Sequence, residues 1–271
     1  MKRLTFLCFA FVICFSSKSQ TDPLTQAHGA RSQSMGNLKV NLPDAWTVFN
    51  NIGALDRIKD SHIVVGVDRR YGLKELSTFD LAMALKTELG SFGLNLSRFG
   101  GNLFNQQIFG LGYSQKLGIA SFGFKADWFQ TSIQDYGTGN SLVLSLGGVA
   151  DLGPKIQMGA NFLNLNSSKI SRYSEDRLPT IISMGISYFP TTSLQFHVEV
   201  EKDILFKPNV KIGLEYGILD WVFLRTGINS DPSKVNFGIG LNPGKFHIDY
   251  GLGQNNALGN THQVSFGYKW N

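Results

Sequence analysis

The chain has 271 residues, 42% hydrophobic and 17% charged, a balance that excludes a disordered tail protein and leaves room for one large domain or two small ones. Thirty glycines and 21 phenylalanines accompany only 8 prolines and a mean hydropathy of −0.04, and no apolar run reaches the roughly 20 residues of a membrane-crossing helix. The formal net charge is +5, but its excess is concentrated at the start of the chain.

Leu4 to Phe15 is a short apolar run that follows Lys2 and Arg3 and ends in Ser16, Ser17, Lys18, Ser19 and Gln20. That pattern reads as a secretory signal peptide over residues 1–19, with the mature chain beginning near Gln20. Both cysteines, Cys8 and Cys14, lie inside it, so the exported part is expected to carry no thiol and no disulfide. Ile13 is too large for the position before a lipoprotein cysteine, which argues against a lipid anchor. Removing Lys2, Arg3 and Lys18 lowers the basic count from 25 to 22 against 20 acids, and the remaining charge gives no footprint for nucleic acid.

Residues 20–60 have helical or loop character. Asp44 stands as a helix cap before the apolar stretch Ala45 to Leu55, with Gly53 near its end. This piece is too short for a domain, and Trp46, Phe49, Asn50 and Asn51 are its candidates for closing a lumen or touching an apolar ligand.

From Ser61 to the end at 271, apolar residues alternate with small or polar ones in segments of about ten residues bounded by turn formers. Fourteen such segments begin near His62, Thr78, Phe92, Gln107, Ile119, Leu142, Ile156, Ile181, Leu194, Val210, Trp221, Val235, Phe246 and Gln263. Alternation suits either a soluble sandwich or a transmembrane barrel, and the second face separates them. Here that face mixes Gly, Asn and Ser with isolated charges, as a confined polar lumen requires. Aromatics at segment ends, among them Trp128, Phe129, Tyr188, Phe189, Trp221, Tyr268 and Trp270, suit interfacial girdles. Tight connections after even segments and longer ones after odd segments suit periplasmic turns and external loops. The fold expected is all-β, a 14-stranded antiparallel transmembrane β-barrel with a short N-terminal plug segment, in the cell outer membrane among its lipids and lipopolysaccharide.

Within the sixth segment Leu142, Leu144 and Leu146 share a face, yet Val149 falls out of phase after Gly147 and Gly148. Paired glycines in a strand suggest a kink, either a packing accommodation or a lateral opening. The expected lumen face carries Lys125, Asp127, His197, Glu199, Lys211, Glu215, Arg225, His247 and Asp249, and its mixed signs argue for a salt-bridged interior over an open pore. No G-x-S-x-G elbow, P-loop or dinucleotide fingerprint is present, and the five histidines lack metal-ligand spacing, so no enzyme activity, cofactor or metal is expected.

The stretch Gly29-Ala-Arg-Ser-Gln-Ser-Met-Gly-Asn37 and the run Asp44 to Leu55 resemble the N-terminal signature of the PorV/PorQ family of Bacteroidetes outer-membrane proteins, which are similar to the fatty-acid transporter FadL. Arg177 to Tyr188 and Gly259 to Trp270 resemble the same family. The resemblance implies a fourteen-stranded barrel whose N-terminal segment, residues 20–60, folds into the lumen as a plug. It also implies a non-enzymatic accessory role beside type IX secretion system subunits, with FadL-like uptake of a small hydrophobic ligand as the alternative.

Overall fold

The computed structural model describes residues 24–170, 177–255 and 258–270. The expected signal peptide and its cysteines lie outside them. Fourteen strands form one closed antiparallel barrel in which each strand pairs with its sequence neighbours and the first pairs with the last. They are β1 (Ser61–Arg70), β2 (Ser77–Thr87), β3 (Gly90–Gly100), β4 (Phe104–Leu117), β5 (Ala120–Ile133), β6 (Gly137–Gly153) and β7 (Ile156–Leu163), then β8 (Ile181–Tyr188), β9 (Leu194–Asp203), β10 (Asn209–Leu219), β11 (Val222–Ser230), β12 (Ser233–Leu241), β13 (Phe246–Asn255) and β14 (Gly259–Trp270).

Alternation along each strand separates the two faces. Val65, Phe79, Leu96, Ile212, Phe237 and Phe266 point outward and are exposed, whereas Asp68, Asp80, Lys125, Lys211 and Asp249 point inward and are buried. This polarity is the reverse of a soluble barrel, and it places the chain in an outer membrane with its apolar wall facing lipid. The start of β1 and the end of β14 share one end with the tight turns at 88–89, 118–119 and 154–155. The longest connection, 164–180, stands at the opposite end, which is therefore external.

The expected contrast in loop length is only partly present. Residues 134–136 and 231–232 make external connections as short as the periplasmic ones, because strand pairing continues into the turns, as in the pair Ile133 and Gly137. Phe129, expected in an aromatic girdle, points inward and is fully buried, while its neighbour Trp128 faces lipid.

Residues 24–60 run inside the barrel. Helix α1 (Ala30–Ser34) lies against β11 to β14, helix α2 (Thr47–Asn50) against β2 and β3, and a 3-10 turn (Ile52–Arg57) against β3 to β6. The single helix expected over Ala45 to Leu55 is broken at Asn51, whose backbone is extended. Asp44 nevertheless serves near its start, its Oδ1 accepting from the Trp46 amide at 2.9 Å.

No β-bulge falls at Gly147 or Gly148. Both lie in continuous register with β5 and β7, and the register shift in β6 comes later, between Asp151 and Gly153. Val149 is on the inward face with Val143, Ser145 and Gly147, so its apolar side chain meets the lumenal segment instead of lipid. The glycines serve a close approach: a Cβ on Gly147 would overlap Asn51 Oδ1, and a Cβ on Gly53 would overlap the Gly147 carbonyl carbon and Gly148 nitrogen. Backbone cannot give way as a side-chain tip can, so Gly53→Ala is expected to unseat the 3-10 turn at a cost of about 1–3 kcal/mol. A lower thermal unfolding midpoint of the purified barrel would show this.

Candidate functional site: the lumenal segment and the wall beside it

The inward charges of β9 to β13 are paired with charges of the N-terminal segment. Lys211 Nζ lies 3.2 Å from Glu199 Oε1 and 2.9 Å from Glu201 Oε2, and Lys39 Nζ reaches the same Glu201 oxygen at 2.9 Å. Glu199 Oε2 accepts from the backbone amides of Lys39 and Val40 at 2.7 and 2.9 Å. A second cluster holds α1. Arg31 forks onto Glu215 with two bonds of 2.8 Å, Arg225 adds bonds of 2.6 Å to Glu215 and 2.5 Å to Asp249, and Asp44 stands 3.6 Å from Arg31.

A third anchor lies at the periplasmic end. Arg57 donates to Asp151 at 2.7 Å, to Ser121 at 2.8 Å and to two backbone carbonyls, while Asp56 accepts from Lys86 and Ser91 at 2.7 Å and from the Lys116 amide at 2.6 Å. Burial would raise the Asp56 carboxyl, but these donors outweigh it and hold the group below its ordinary value.

On the side of β1 to β5 the contact is mainly apolar. Trp46, Val48, Ile52 and Leu55 pack with Val64, Ala82 and Ala84 in one buried cluster. The ring of Trp46 rests on Gly66, where a Cβ would stand 2.8 Å from it. His28 Nδ1 adds a polar tie to Asp80 Oδ2 at 2.9 Å, and the His28 ring stacks on Phe49 with centroids 3.9 Å apart. Nearer the external end a second apolar cluster joins Leu24, Ile108, Phe129, Val143, Leu163, Leu178 and Ile181.

The outer face of the same arc carries a groove of about 570 Å³ across β1 to β5. Val65, Val67, Phe79, Leu96, Phe109 and Trp128 form its walls, Arg98 and Gln107 stand at its edge, and Gly66, Asp80, Ser97 and Ile108 also line it. Only the β1 backbone at Gly66 therefore separates the Trp46 ring from this groove. The ladders β1–β2, β2–β3 and β3–β4 run without a register shift, so the groove is a dent in a closed wall.

All nine expected lumen residues are buried on the inward face. Lys211, Glu199, Glu215, Arg225 and Asp249 form the anchors described above. Lys125 pairs with Asp127 at 2.9 Å and donates to the Phe49 carbonyl, His197 bonds Ser187 at 2.7 Å, and His247 lies beside His62 with ring centroids 6.0 Å apart. Among the expected ligand contacts, Asn50 and Asn51 are occupied in holding the segment together. Asn50 bonds the backbone and Ser32 around His28, and Asn51 ties Val40 to Gly53. Phe49 alone of the four keeps part of its surface exposed.

Sequence reasoning missed Arg31, Lys39, Asp56 and Arg57, whose signal was available: four charged residues in a stretch bound for a lumen need opposite charges on the wall. Among the described residues no group of three or more His, Cys, Asp or Glu side chains is arranged to hold a metal.

No protein-family model matches the chain, and no curated protein matches its sequence. Solved structures do resemble it. A monoaromatic hydrocarbon channel, CymD, superposes with a TM-score of 0.71 at 12% identity, covering 92% of this chain and 98% of its own. The toluene transporter TbuX of Ralstonia pickettii gives 0.69 at 11% identity over 91% and 99% of the two chains, and TodX of P. putida gives 0.68 at 12% over 90% and 99%. The chain shares the barrel fold of these structures. The solved barrels it resembles are named as channels and transporters, not enzymes.

Two predictions test the anchoring. Lys211→Met leaves Glu199 and Glu201 short of a cation inside the lumen, which is expected to cost about 3–5 kcal/mol and to open residues 24–58 to protease. Desolvation raises the Asp44 carboxyl to about 6, with Arg31 opposing the shift and Asp249 reinforcing it. The folded chain then holds a proton here that the unfolded chain releases above about 4, so this group weakens folding as pH rises through that window. Asp44→Asn, which retains an acceptor for the Trp46 amide, is expected to raise Tm above pH 6 and to leave it unchanged below about pH 4.

Proposed function

We propose that the chain is a non-enzymatic, FadL-like channel through which small hydrophobic compounds cross the outer membrane. Support comes from the fold shared with monoaromatic hydrocarbon channels and, chiefly, from the position of Gly66 with the Trp46 ring on one side and the apolar groove on the other. A compound entering at the external end meets the cluster of Ile108, Phe129 and Val143 first. It then meets the apolar face of Trp46 and Phe49, and it leaves through the β1–β3 arc into the membrane. A route on this side follows the apolar contacts of Trp46, Val48 and Ile52 with the wall, whereas β9 to β13 hold the segment by charge. The groove is several times the roughly 150 Å³ that accommodates benzene in a protein interior.

Passage across the arc requires β1 and β2 to part briefly near Gly66. Val65 and Leu81 are direct partners in that ladder. The double variant Val65→Cys, Leu81→Cys is expected to take up labelled toluene when reduced and to fall to the level of cells without the barrel when oxidised. Undiminished uptake in the oxidised protein would remove the lateral route.

The PorV/PorQ resemblance favours the other reading, an accessory of the type IX secretion machinery. Structural likeness gives more support to the channel. Purification from native outer membranes in mild detergent separates the two: recovery alone with a bound apolar compound supports transport, and stoichiometric secretion subunits would overturn it.

A further inference from the structure

Behind the groove stand two inward side chains that an apolar passage does not explain. Asp80 and Ser97 face each other across the β2–β3 ladder, both 6% exposed, and both line the groove while pointing inward. Asn95 lies two residues along β3 from Ser97, fully buried, on the same inward face. Among the described residues Asp80 Oδ1, Ser97 Oγ and Asn95 Oδ1 have no hydrogen-bond partner. The neighbouring polar atoms are committed elsewhere: Asp80 Oδ2 to His28, Asn95 Nδ2 to Asp127 at 3.1 Å, and Lys125 to Asp127.

A buried carboxylate oxygen and a buried amide oxygen can only accept, and leaving them unmade is costly in a dry interior. Cross-strand partners stand about 4.5–5.5 Å apart at Cβ, so one small group on the inward face of the β2–β3 ladder can reach both Asp80 and Ser97. Apolar surfaces flank them on both sides, the groove wall of Phe79 and Leu96 outside and the His28 and Phe49 stack inside.

We propose that the compound carried is a small aromatic molecule bearing a hydroxyl group, whose O–H is donated to Asp80 Oδ1 while Ser97 and Asn95 complete the polar patch. This deepens the channel reading and rests on it. A plain hydrocarbon passes the same apolar surfaces but leaves the acceptors unmet. A carboxylate offers them no proton and brings a second negative charge beside Asp80.

The test sets p-cresol against toluene, which differ by one hydroxyl, in competition for the full-length barrel in nanodiscs, read by ligand-observed NMR against empty nanodiscs. A hydrogen bond to a charged acceptor is expected to favour p-cresol by about tenfold. Ser97→Ala and Asp80→Asn are each expected to shrink that preference toward the parity of two compounds that differ only in a hydroxyl, and Ser97→Ala serves if Asp80→Asn fails to assemble. Equal binding of the two compounds, or a preference that survives both variants, overturns the inference and leaves the channel intact. Binding of neither compound overturns the channel reading and this inference with it.

Discussion

A backbone inside hydrocarbon has no water to satisfy its amides and carbonyls, so every strand of a membrane-crossing sheet must find a partner on both sides. In this chain that demand is met by pairing β1 with β14, which closes the barrel and removes its edges. Closure forces the remaining choices. Each strand has one face toward lipid and one toward the enclosed space, and alternation sends Ile212 to the first and Lys211 to the second. The polar groups that cannot face lipid are thereby gathered inside, where they need partners as much as the backbone did.

Those partners come from the segment that precedes the barrel. Lys39 and Arg31 reach carboxylates on β9 and β10, and Arg57 reaches Asp151 on β6. Removing a charge from water costs several kcal/mol unless geometry and hydrogen bonding return it, and these contacts are forked or shared among three or four groups. The segment is therefore part of the barrel's own electrostatic balance. Its glycine contacts say the same in steric terms, since Gly53 approaches Gly147 closely enough that neither tolerates a Cβ.

The anchoring is uneven around the circumference, and the unevenness carries the functional reading. One arc, β9 to β13, holds the segment by charge. The opposite arc meets it with Ala82, Ala84, Gly66 and Gly93, small residues that let Trp46 and Val48 lie against the wall. Apolar contact is non-directional and tolerates sliding in a way that a forked ion pair does not. An apolar guest can displace such contacts without stranding a charge, and the groove lies on the lipid side of that same arc.

Strand number, inside-out polarity, membrane location and the inward position of the nine lumen residues were legible in the sequence, because the two-residue period of a strand is a local property that no distant contact changes. The same locality explains where reading failed. Val149 seemed out of phase, and Gly147 with Gly148 suggested a kink, because nothing near them in sequence reveals that Asn51 and Gly53 press on that wall from inside. Asn50 and Asn51 resembled ligand contacts until their bonds to His28 and Val40 were visible. By itself the sequence determined which residues face lipid and which face the lumen. Only the tertiary structure decided which lumen charge meets which, and which arc is left apolar, because those pairings join residues up to 184 positions apart, such as Arg31 and Glu215, and depend on how the chain closes on itself.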